Sequence, residues 1–163
     1  MKLNIQALYD VQDELDSRIF KNHHVDRPST YIDRMLALLV EIGECANETR
    51  CFKYWSVKEA SAQEVIAQEF VDGIHFLLSL GIDLDMGVSE IESVEIDSTL
   101  SDQFIGVFEA VIALSKNFNE ENYEKAFAMY LGIACKLGLS EETITQHYQD
   151  KNLTNHKRQD ENY

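Results

Sequence analysis

Four carboxylates pose the chemical question. Glu41 and Glu44 stand three residues apart in "ALLVEIGECANETRCFKYWS", and Glu69 and Asp72 stand three apart in "QEFVDGIHFLLSLG". Three residues turn an α-helix by about 300°, so each pair shares one face on adjacent turns. Antiparallel packing of two such helices brings all four acids together. Carboxylates crowded into a partly dry cleft stay ionised only when positive charge joins them. Hard oxygen donors of this kind suit Mg²⁺, with Mn²⁺ as a substitute. Mg²⁺ keeps positions open for water and for substrate phosphates, so the chemistry expected is metal-assisted cleavage of a phosphoanhydride. The plain alternative is a solvated acidic face. Against it, both pairs lie in apolar runs. Four residues beyond Glu41 and Glu44 stand Cys45 and Glu48, where a solvated face would carry Lys or Arg.

Other side chains join this constellation as candidates. Trp55 is a core aromatic or a platform for a nucleobase, since every base offers a π-face. Lys53 is a solvated charge or a phosphate contact. His75 follows Asp72 by three residues, near the same face, and is a satisfied buried histidine or a reader of a base edge. Gln12 carries a donor and an acceptor; its ordinary reading is surface. Near the end of the chain Lys151, Lys157 and Arg158 cluster in a sequence otherwise poor in positive charge. They complement a helix end, or they clamp a triphosphate as a tail closes and excludes water.

These residues need elements to hold them. Leu8, Val11, Leu15 and Ile19 recur at helical spacing, giving a first helix over 3–20. Pro28 and Ser29 signal a second start, and the second helix runs over about 30–51. Ser61 and Glu64 have the spacing of a capping box for a third helix that ends near Gly81. Residues 82–98 read as loop, with the alternation in "VSEIESVEID" as a weaker signal for a short strand. A fourth helix covers about 100–117. Asn119 caps a fifth that ends near Gly138, and Ser140 caps a sixth over "EETITQHYQDKN". The polar remainder, "LTNHKRQDENY", reads as a tail. Short breaks between successive helical patterns give an all-α fold, a helical bundle of about six helices in one domain.

Composition sets outer bounds. The chain has 163 residues, 45% of them hydrophobic, enough for one core. A net charge of −15 opposes binding to nucleic-acid polymers or anionic membranes. It does not oppose a small anion delivered with divalent cations. Three cysteines outside any CxxC pattern read as reduced thiols of a cytoplasmic protein.

The segments quoted above, with the terminal "KNLTNHKRQDENY", resemble the dimeric dUTPases. These belong to the all-α NTP pyrophosphatase superfamily, together with MazG-like enzymes and dCTPases. The resemblance implies an Mg²⁺-dependent dUTP pyrophosphatase that yields dUMP and also accepts dUDP. It implies that Glu41, Glu44, Glu69 and Asp72 ligate the metal, with Glu41 also orienting or deprotonating the attacking water. Gln12, Trp55 and His75 would face the uracil. Lys151, Asn155 and Arg158 would hold phosphates. Family members are homodimers with the site near the subunit interface, and some phage-encoded relatives bind repressors, a further class of partner. Two departures from the family pattern stand out. "KNHHVDRPS" replaces an Asn-rich turn, leaving Asn22 in that region, and Glu161 and Asn162 stand where Gly usually precedes the final Tyr. Two other readings stay open: a related dCTP or house-cleaning pyrophosphatase, and an acidic helical interaction protein.

Overall fold

The computed structural model describes residues 1–85 and 87–161. Met86 of the loop-like stretch, and Asn162 and the closing Tyr163 of the terminal motif, lie outside them. The described elements are β1 (Lys2–Asn4), α1 (Gln6–His23), α2 (Arg27–Thr49), α3 (Gln63–Asp83), β2 (Glu90–Glu92), α4 (Leu100–Lys116), α5 (Glu120–Leu137) and α6 (Glu141–Asp160). The all-α expectation holds.

Local chemistry sets the helix ends. Asp26 accepts from the Ser29 N–H, and Ser29 returns the bond, so α2 begins at Arg27, earlier than expected. Arg50, left-handed at φ 57°, ends it. Thr99 and Asp102 form the same reciprocal cap for α4. Asn119 and Ser140 cap α5 and α6 as expected, and Gly138 closes α5 at φ 71°.

Further expectations are corrected. The first helix starts at Gln6, because Lys2–Asn4 pairs antiparallel with Glu90–Glu92, placing Leu3 opposite Ile91. Both side chains are buried while their neighbours point to water, the period-two pattern of a strand. The box between Ser61 and Glu64 does not form. Ser61 turns back instead, its hydroxyl bonding the Glu48 carboxylate and its N–H the Glu48 carbonyl. The break expected after Asn152 is absent, since α6 continues to Asp160. Its last turns lie along α1, where Arg18 pairs with Asp160 and Asn22 donates to Gln159 at 3.2 Å.

α3 is the central helix, with α1, α2, α5 and α6 around it. It is long and apolar enough to cross a membrane, yet most of it is buried by its neighbours, as befits a core helix. Phe70 is fully buried, worth roughly 2–3 kcal/mol. Two tyrosines of α5 fix its position. Tyr123 donates to the Leu77 carbonyl at 2.9 Å and Tyr130 to the Phe70 carbonyl at 2.7 Å. Gly81 and Gly73 leave room for these hydroxyls, where a Cβ would overlap them. Gly81 thus serves packing within the helix rather than its end, and the helix runs on to Asp83 instead of stopping there as expected.

Candidate active site

α2 and α3 run antiparallel. Glu48, near the end of α2, meets Ser61 just before α3, while Arg34, early in α2, bonds Ser79 and Asp83 late in α3. Midway between these contacts the acidic pairs meet. One carboxylate oxygen from each of Glu41, Glu69 and Asp72 lies within 4.8 Å of the others. Glu44 is exposed and outside this trio, but near enough to push up the pKa of all three.

The electrostatics match a site built for a cation. Burial, reinforced by Asp72, Glu44 and Glu69, raises the Glu41 carboxyl to about 7, and Lys151 opposes the shift. Burial and neighbouring acids raise Glu69 as well. Burial raises Asp72, opposed chiefly by the Lys151 ammonium, which donates to its Oδ2 at 2.6 Å. Three half-buried carboxylates with too little positive charge form a donor set that fits a divalent metal ion.

Beside the trio opens a cleft of about 420 Å³ between α1, α2, α3 and α6. Seven of the residues singled out from sequence line it: Gln12, Glu41, Asp72, His75, Lys151, Asn155 and Arg158. Arg158 also donates to Asn155 at 3.3 Å. Thus α6 brings its three phosphate candidates to the cleft along one helix face, at residues 151, 155 and 158. Asn22 is held instead by Gln159 on the exposed side.

Trp55 is not brought there. It sits on the connector between α2 and α3, 65% exposed, edge-on to Phe52 and Tyr54. Lys53 likewise turns to Asn47 and the Phe52 ring. Gln12 corrects its ordinary reading in the other direction: it is buried, and much of its amide is engaged within the protein. Its Nε2 donates to Asp16 at 2.7 Å, and its Oε1 lies 2.9 Å from the Tyr148 hydroxyl and 2.8 Å from His75 Nδ1. His75 stacks on Tyr148, and burial lowers its pKa to about 3, so the ring is neutral.

A polar network beneath the cleft escaped the sequence reading. Arg34, buried, bonds Ser79 and Asp83, and Arg27 reaches Asp13, Asp16 and Asp83. The one available signal was Asp16, four residues past Gln12 on the apolar face of α1. A buried acid there requires partners, but the sequence does not say which. Phe76 also lines the cleft.

A family model described as dUTPase matches residues 4–163. No curated protein matches the chain. The match spans both acidic pairs, the cleft and α6, and the chain belongs to the dUTPase family.

Proposed function

We propose that the protein is an Mg²⁺-dependent dUTP pyrophosphatase that also cleaves dUDP. The observation that carries this is the trio of Glu41, Glu69 and Asp72 at the edge of a cleft whose α6 wall presents Lys151, Asn155 and Arg158. Glu41, Glu69 and Asp72 would hold the metal, with Glu44 beside them. Bound there, Mg²⁺, or Mn²⁺ in its place, would supply charge neutralisation for phosphoryl oxygens and a lowered pKa for a water. Glu41 orients the attacking water and takes its proton. Water adds to the phosphoanhydride, the bridging P–O bond breaks, and dUMP and pyrophosphate leave; dUDP gives dUMP and phosphate. Lys151 and Arg158 hold the phosphate charge, and Asn155 positions it. His75 and Gln12 bound the base end. Trp55 reaches the base only if the connector moves.

α6 is suited to closing over phosphates. Its buried residues are a narrow stripe, Ile144, Tyr148 and Asn152, so little apolar area resists a shift of its far turns. The outer face of α2 exposes Ile32, Leu36 and Val40, one turn apart, and a second copy of the chain covers them in a homodimer. We place the protein in the cytoplasm, where its substrate pool lies. A repressor-type partner, where one exists, meets the acidic surface.

A panel of dUTP, dUDP, dCTP and the common NTPs, each with Mg²⁺, tests the assignment. Turnover of dUTP and dUDP above the rest is expected. Turnover of dCTP with dUTP ignored would sink the uracil assignment. No turnover of any nucleotide, with no stabilisation by Mg²⁺ and a non-hydrolysable dUTP analogue, would favour an interaction protein.

A further inference from the structure

The floor of the cleft contains a directed chain of hydrogen bonds. Asp16 is 5% exposed and accepts on both oxygens. Its Oδ2 takes the Ser79 hydroxyl at 2.6 Å and Arg27 Nη1 at 3.1 Å, and its Oδ1 takes Gln12 Nε2 at 2.7 Å. A carboxylate has no proton to give, so the nitrogen of the Gln12 amide must face it. The amide oxygen must then face the other way, toward Tyr148 and His75. An amide oxygen only accepts, so the His75 nitrogen 2.8 Å away, Nδ1, must carry a proton. A neutral imidazole has one N–H, so the Nε2 of His75 bears a lone pair and no hydrogen.

That Nε2 is buried without a hydrogen-bond partner among the described residues, on a side chain 6% exposed that lines the cleft. A buried acceptor left unpaired costs roughly 1–3 kcal/mol. A group that relieves it must bring a hydrogen.

We propose that Asp16 is a positioning residue. It locks the orientation of the Gln12 amide, and through it holds His75 as the Nδ1–H tautomer, so that Nε2 accepts an N–H from the bound ligand. The ligand half rests on the nucleotide reading above, where the imide N3–H of uracil is the matching donor. The tautomer half stands without it.

Nitrogen NMR of the full-length protein reads the tautomer directly. His75 is expected to show a pyrrole-type Nδ1 and a pyridine-type Nε2, and the reverse pattern would overturn the proposal. In Asp16→Asn, Ser79 and Arg27 still require an oxygen at the Oδ2 position. The new amide nitrogen therefore faces Gln12, turns its amide over and moves the proton to His75 Nε2. Asp13→Asn is the control: it loses a bond to the same Arg27 but leaves Gln12 alone, and His75 should be unchanged. A wild-type tautomer retained in Asp16→Asn would overturn the positioning role. Should that variant not fold, the coupling across the bond from Gln12 Nε2 to the Asp16 carboxyl carbon decides the same point in the wild type, and its absence overturns it.

For the ligand half, dUMP is compared with its N3-methyl analogue. dUMP should shift the His75 Nε2 resonance, and the analogue should bind about tenfold more weakly without that shift. Turnover of dUTP with Nε2 unmoved by dUMP would overturn this inference and leave the function standing. A confirmed tautomer with no dUMP binding and no turnover of dUTP would overturn the function and the ligand half together, and leave the role of Asp16 standing.

Discussion

The ammonium of Lys151 lies 2.6 Å from Asp72 Oδ2, so a residue of α6 meets a carboxylate of the acidic trio. The same ammonium lines the cleft where phosphates are expected. On the proposed reading, Lys151 would compete with a metal ion for Asp72 and release it when phosphate arrives.

Lys151→Met separates these two effects. Without nucleotide, calorimetry should find Mg²⁺ bound as tightly or more tightly than in the wild type. With nucleotide, KM for dUTP should rise by about tenfold or more, since a charge-assisted phosphate contact is gone. Weaker Mg²⁺ binding in the variant would mean that Lys151 supports the metal site rather than competing for it.

Tyr130 reaches α3 between the two metal candidates. Its hydroxyl bonds the carbonyl of Phe70, directly after Glu69, and its ring stacks on Phe70 at 4.5 Å. Tyr123 makes the equivalent bond to Leu77, beyond Asp72. Each Tyr→Phe change should cost about 1 kcal/mol in denaturant unfolding. Only Tyr130→Phe should weaken Mn²⁺ binding, by a few-fold, because only that bond anchors the turn of α3 between Glu69 and Asp72. Equal metal affinity in the two variants would reduce the Tyr130 bond to scaffolding.

The sequence showed what depends on local chemistry. Asn119, Ser140 and Gly138 end their helices as their side chains or backbone freedom require. The spacing of three put each acidic pair on one face, and apolar flanks half-buried Glu41, Glu69 and Asp72 while Glu44 stayed exposed. What it hid depends on distant partners. β1 is legible only with β2, some ninety residues on. The far turns of α6 are polar, and their partners, Arg18 and Asn22, lie on the first helix. The Arg27–Asp16–Arg34–Asp83 network joins three helices, so no single stretch of sequence carries its pattern.

Trp55 marks the same boundary, because a connector's course follows from no periodicity. At 65% exposure, Trp55→Ala should alter stability by no more than about 0.5 kcal/mol. It is the chain's one tryptophan, so its emission reports the connector alone. The free protein should emit as a solvent-exposed indole. A blue shift on adding Mg²⁺ with a non-hydrolysable dUTP analogue would carry the residue to the base, and unchanged emission would remove it from the site.

Glu41 gives the site a pH signature without metal. Its folded pKa, about 7, lies above the unfolded value of 4.5, so between these the native state holds a proton that the unfolded chain has lost. Stability from this group therefore falls as pH rises through that window. His75 acts oppositely, its folded value of about 3 lying below 6.5, so its contribution rises with pH. Comparing the wild type with Glu41→Gln cancels the histidine. In chelator, the variant's advantage should be near zero at pH 4.5 and grow to about 1–2 kcal/mol above pH 7, allowing for solvent screening of a half-buried group. Saturating Mg²⁺ should invert the order: it stabilises the wild type by about 2.7 kcal/mol at a hundred times Kd, and the variant has lost a ligand. Denaturant unfolding across pH, with and without Mg²⁺, measures both. A flat difference would show that Glu41 is solvated, and no inversion would remove it from the metal site.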